Sequence, residues 1–180
     1  MPQEIWNVLS SLAAAVLLAV LISRFLCQFV RVKGSSMERT LKNGDILLVT
    51  RPGKYRRGET VICRFPRRTA KTLEINAAFT LCWHTLFVKR LAALPGDAVE
   101  IREGQLYVND LPLPDPPDMA SIPRDYGRRQ LGGRECFVIG DNRRASHDSR
   151  AADVGPIPVG MLQGHVKAVL WPPGRIQIVK

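Results

Sequence analysis

Hydrophobic positions along this chain follow two different patterns. From Ile5 to Ser23 the run "IWNVLSSLAAAVLLAVLIS" holds 19 residues without a charge, bounded by Glu4 and Arg24. As a helix it would reach roughly 28 Å, close to the hydrocarbon thickness of a bilayer. A cleaved signal peptide would have a basic start, a shorter apolar core and small residues before the cut. This chain starts "MPQE", and Phe25 and Leu26 ahead of Cys27 are too bulky for a lipoprotein cleavage site. The pattern predicts a permanent single-pass anchor over residues 5–24 behind a short tail, residues 1–4. Trp6 suits an interfacial aromatic.

Past the anchor the helical period disappears. Short β-type runs follow, split by turn residues: "DILLVT", "ETVICRF", "TLFVKRLAAL", "DAVEI", "QLYV", "ECFVIG", "HVKAVLW" and "RIQIV". Many short strands with Gly and Pro between them predict a mainly β domain, sandwich- or barrel-like, over residues 25–180. "EIREGQLYV" reads as a hairpin turning at Glu103-Gly104. Residues 112–133 are too rich in proline for a central strand and read as an exposed loop. Residues 66–87 show no clear period and read as a variable insertion.

Charge narrows the partners. The net charge of +10, from 26 basic and 16 acidic residues, suits an anionic surface. The basic residues are scattered in pairs such as Arg56-Arg57 and Arg128-Arg129, without interleaved aromatics. That argues against nucleic acid and, beside an anchor, for the lipid bilayer. The four cysteines lack C-x-x-C spacing and the three histidines lack ligand spacing, so neither a metal nor a cofactor is expected. One disulfide among Cys63, Cys82 and Cys136 is compatible with the spacing.

The candidate chemistry begins just behind the anchor, in "RVKGSSMERTL". This stretch reads either as a polar linker or as a nucleophile, Ser36, held near the bilayer. A serine hydroxyl needs a base. In Ser146-His147-Asp148 an extended run would turn His147 away from both neighbours, and would put Ser146, Asp148 and Arg150 on one face. Lysine serves if burial lowers its pKa from about 10.4, whereas arginine stays charged. Only seven of the 26 basic residues are lysines, and two lie in apolar runs, Lys89 and Lys167. Periodicity does not separate them.

Three blocks do. "GSSMERTL", "FVKRLAALPGD" and "GDNRRASHDSR", in this order after an anchor, closely resemble those of the bacterial type I signal peptidases, Ser-Lys leader peptidases. The match continues through "GPIP" and "VLWPP" and is weakest over residues 66–86. The resemblance implies Ser36 as nucleophile and Lys89 as general base, with Ser146 orienting the amine and Asp148 and Arg150 shaping that wall. It implies an oxyanion held by the Ser36 N–H with help at Gly34, where some members carry a hydroxyl residue. It also implies shallow pockets for small side chains at Val32, Met37, Leu41 and Val88. Arg39 departs from the family, in which proline is typical at that position.

The implied activity is removal of signal peptides from translocated preproteins through an acyl-enzyme, cutting after small residues at positions −1 and −3. The implied setting is the bacterial cell membrane, near the secretion translocon, with the N-terminus cytoplasmic and the catalytic domain outside. Arg24, Arg31 and Lys33 would favour the opposite orientation by the positive-inside count. Two rivals share the chemistry, a conjugation-type processing peptidase and an autocleaving Ser-Lys peptidase. A third alternative is a non-catalytic membrane-anchored binding module.

Overall fold

A computed structural model describes residues 2–25, 27–51, 53–65, 86–114 and 122–179 of the chain. Among the described residues one α-helix, α1 (Pro2–Phe25), precedes twelve strands. These are β1 (Cys27–Arg31), β2 (Ile46–Thr50), β3 (Thr60–Cys63), β4 (Phe87–Ala93), β5 (Ala98–Arg102) and β6 (Gln105–Val108). They continue with β7 (Leu111–Pro112), β8 (Tyr126–Gln130), β9 (Glu135–Ile139), β10 (Ile157–Pro158), β11 (Leu162–Trp171) and β12 (Gln177–Ile178). The fold is mainly β, as the alternation predicts.

The strands form two antiparallel sheets. The larger has eight strands in the order β1-β2-β11-β3-β4-β9-β10, with β12 also paired to β11. The smaller has four, β7-β6-β5-β8. Its central hairpin turns at Glu103 and Gly104, whose φ angles of 52° and 76° are those of a tight primed turn. Ala92 and Ala93 of β4 and Phe137 and Ile139 of β9 pack with Val99, Ile101 and Leu106, joining the sheets through one apolar cluster. A second cluster holds Cys63, Phe87, Leu91, Cys136 and Val138. A third, around Val30, Leu47, Val49 and Val88, fills the β1–β2–β11 side. In β3 every residue is buried, and in β4 all but Arg90. Strands covered on both faces lose the alternation that sequence reading relies on.

Two expectations need correction. The proline-rich range 112–133 is not a single loop. Leu111–Pro112 is a strand at the sheet edge, where proline is tolerated, and Tyr126–Gln130 is β8. Ile122, inside the same range, is buried in the joining cluster. The insertion expected over 66–87 ends earlier, because Phe87 opens β4 and Leu86 is buried; residues 66–85 lie outside the described residues. The expected anchor is helical along its length, and the described apolar side chains from Ile5 to Leu18 are exposed. Among the described residues, however, no helix is long and apolar enough to cross a membrane.

Candidate active site

Strand β4 supplies the first group. Lys89 pairs with Val61 of β3 and points into the protein with only 2% of its surface exposed. Burial drives its amine pKa below the ordinary lysine value, against the nearby negative charge of Asp148, which acts to raise it. Its Nζ donates a hydrogen bond to Ser146 Oγ at 3.0 Å.

The turn after β9 supplies the wall behind that amine. Asp148 is fully buried and accepts from Arg150 Nε at 2.7 Å, Arg150 Nη2 at 2.8 Å and the Gly140 N–H at 2.8 Å. Burial alone would raise its pKa. The Arg150 fork, aided by the charge on Lys89, outweighs this and holds the carboxyl below its usual range. Arg150 also donates to the carbonyls of Arg143 and Ser146 at 2.8 and 3.2 Å, fixing the backbone that carries Ser146. The run 146–150 is a turn and not a strand, yet the expected division holds. His147 is on the surface with Nε2 3.0 Å from Asp153 Oδ2, away from Ser146.

Ser36 meets this turn at Gly140. The Asn142 N–H donates to the Ser36 carbonyl at 3.0 Å, and Asn142 Nδ2 to that of Ser35 at 3.1 Å. A Cβ on Gly140 would lie 2.1 Å from Ser146 Oγ and 2.5 Å from the Ser36 carbonyl. Only glycine lets the two loops approach so closely. The chain thus brings Ser36, Ser146 and Lys89 into one cluster from positions up to 110 apart in sequence. Ser36 Oγ is buried and has no hydrogen-bond partner among the described residues. An orphaned buried hydroxyl is costly and calls for a functional explanation.

Four further residues belong to one core cluster. Val32, Met37, Leu41 and Val88 are all buried in the β1–β2–β11 cluster, on the Ser36 loop and beside Lys89. Gly34 has a φ of 89°, and its N–H is donated to Asn43 Oδ1 at 3.2 Å, so it does not point freely into the site. Arg39 has a φ of 121°, which a proline ring cannot adopt. The departure from the family pattern at this position therefore goes with a different backbone. Lys167, the rival lysine, is exposed on β11.

Sequence reasoning missed a supporting ion pair. Arg90 points to the face opposite Lys89 and grips Asp141 with Nε and Nη2, both at 2.7 Å. Asp141 also accepts from Thr40 Oγ1, so one buried carboxylate ties the Ser36 loop to β4. The adjacency of Lys89 to Arg90 was a signal for two opposed roles. Nothing in the spacing named Asp141 as the partner.

Cysteine chemistry does not compete. Cys63 and Cys136 are free, and burial pushes both thiols up to about 12. They stay protonated and poorly nucleophilic near neutrality. Cys82 and His84 lie outside the described residues. No metal-holding cluster occurs among the described residues.

The buried Lys89 amine thus meets one serine hydroxyl, that of Ser146, in a turn packed against the Ser36 loop. Residues 5–171 match the family model described as "Signal peptidase, peptidase S26". The chain is 31% identical to a probable signal peptidase I-2 of Synechocystis sp., over 99% of this chain and 79% of that one. It is 32% identical to a signal peptidase I of Bacillus amyloliquefaciens, over 92% and 88%. A crystal structure of a signal peptidase I from Enterococcus faecalis aligns with a TM-score of 0.46 and 23% identity, covering 63% of this chain and 97% of that one. The chain belongs to the signal peptidase family, peptidase S26, as a peptidase of type I.

Proposed function

We propose that this peptidase removes signal peptides from preproteins with Ser36 as nucleophile and Lys89 as its base. The observation that carries the reading is the desolvated Lys89 amine held by Ser146, in a turn that packs against the loop of Ser36, whose buried hydroxyl has no hydrogen-bond partner among the described residues. In its neutral form the amine takes the Ser36 proton as Oγ attacks the scissile carbonyl. The oxyanion that forms is held by the Ser36 N–H, which has no acceptor among the described residues. Gly34 contributes only if its N–H leaves Asn43. Lys89 returns the proton to the leaving amine, and the acyl-enzyme remains. Lys89 then deprotonates a water, whose oxygen attacks the ester and frees Ser36. Ser146 positions the amine throughout, and Asp148 with Arg150 positions Ser146. The apolar floor of Val32, Met37, Leu41 and Val88 supports a preference for small residues at −1 and −3.

The same reading makes α1 the anchor, dividing the chain into a tail (1–4), an anchor (5–24) and an extracytoplasmic catalytic domain (25–180) close to the translocon. Supporting it are the uncharged run itself and the exposed Phe29, Trp171, Ile176 and Ile178 on or beside β1, β11 and β12, which suit a lipid surface. The protein should therefore resist alkaline carbonate extraction. A protease added outside intact spheroplasts should reach the β domain, and protection of that domain would reverse the orientation.

Incubation with a preprotein tests the chemistry. Ser36→Ala should abolish cleavage by several orders of magnitude. Ser35→Ala should leave most of it, since Ser35 engages Asn142 through its carbonyl alone. Equal loss from both would remove Ser36 as nucleophile.

A further inference from the structure

A cavity of about 430 Å³ is lined in part by Ser146, the residue that holds the Lys89 amine. Its walls come from two segments: Arg124, Asp125 and Tyr126 ahead of and opening β8, and Arg143, Arg144, Ser146 and Arg150 in the turn after β9. Four of these are arginines and one is an acid. Arg150 is committed to Asp148 and contributes little outward charge. Arg124 and Arg144 are exposed and have no carboxylate partner among the described residues. The lining therefore keeps a positive excess beyond what Asp125 offsets.

We propose that this cavity receives the first residues of the mature protein, just after the scissile bond, and favours an acidic side chain there. The inference rests on the Ser36–Lys89 reading. Ser146 both holds the Lys89 amine and lines the cavity, and its turn packs against the Ser36 loop, so the cavity adjoins the point where a substrate laid over Ser36 would be cut. The exposed Arg124 and Arg144 in its lining suit a carboxylate, by charge and by the paired donors of a planar guanidinium. A lipid headgroup is the less favoured occupant. The exposed apolar residues on β1, β11 and β12 lie toward the other end of the sheet order from β9 and its turn.

The test uses the full-length protein in neutral detergent micelles. Fluorogenic peptides share one sequence up to the cut and carry Glu, Ala or Lys at positions +1 to +4 in turn. At one or more of these positions kcat/KM for Glu should exceed that for Lys by about five- to tenfold, mainly through KM. The preference should shrink in 1 M salt. It should vanish in the Arg124→Ala, Arg144→Ala double variant, with the rate on the Ala peptide unchanged. Equal rates for all peptides, or a preference that survives in the double variant, would overturn the proposal and leave the Ser-Lys reading standing. Failure to cut any peptide would sink that reading, and the proposal with it. A defect of the double variant seen only with anionic vesicles, and alike for every peptide, would assign the cavity to lipid and overturn the proposal.

Discussion

Lys89 and His165 sit in one cross-strand row with Val61 between them, and each is 2% exposed. On partners alone, His165 is the more conventional base. Its Nδ1 lies 3.0 Å from Glu59 Oε2, and Tyr55 stacks on its ring with centroids 4.4 Å apart. Its other nitrogen has no hydrogen-bond partner among the described residues and faces Gly53, where a Cβ would stand 3.2 Å away. No hydroxyl hydrogen-bonds to it among the described residues. Lys89 has no carboxylate of its own, because Asp148 is already held by Arg150, but its amine meets Ser146 beside Ser36. A base is defined by what its free nitrogen can reach. By that criterion His165 is a packing residue, and Lys89 is the better placed of the two to act as the proposed base.

The comparison is most easily broken at the two bases themselves. Lys89→Arg keeps the charge but cannot deprotonate near neutrality, and should lower preprotein cleavage by several orders of magnitude. His165→Gln should retain substantial activity and lose only stability. A reversal of these two results in cleavage assays on folded protein would transfer the chemistry to His165. Next in size is Ser146→Ala, which removes the one hydrogen bond orienting the amine. It should lower kcat by about 10- to 100-fold, in line with 1.5–3 kcal/mol for a bond to a charged group. Circular dichroism should remain native.

Smaller effects sharpen the contrast. Gly53→Ala meets both a φ of 135° and the His165 ring, and should cost about 1–3 kcal/mol in denaturant unfolding, with little change in kcat. Arg39→Gly relieves a side chain from a φ of 121° and should be stabilising by about 0.5–1 kcal/mol. Arg39→Pro, which would restore the family's usual residue, should instead damage the Ser36 loop, because proline fixes φ near −65°.

The sequence was legible wherever one face of a strand met water. β2, β5 and β6 show the alternation, and the Glu103-Gly104 turn was readable from its residue types. β8, "YGRRQ", was missed because it is almost wholly exposed and carries no apolar stripe. β1, "CQFVR", was hidden because it runs straight on from the helix. Lys89 and Lys167 looked alike because burial is set by place in the sheet. β4 is covered on both faces, whereas β11 turns Lys167 outward. Only the ordered motif blocks favoured Lys89. Asp141 was unreadable as a partner of Arg90 because a contact across 51 residues leaves no local period. His165 drew notice only for lacking metal spacing; its pairing with Glu59, 106 residues away, was equally out of reach.

The pH dependence of kcat/KM on a signal-peptide substrate tests the central claim most directly. Burial lowers the pKa of Lys89, so its protonated, inactive form gives way to the neutral base at a pH below that of a free lysine. Activity should climb with pH along a limb below about 10.4, and His165→Gln should leave that limb in place. A limb that disappears in His165→Gln would contradict the account and make histidine the base.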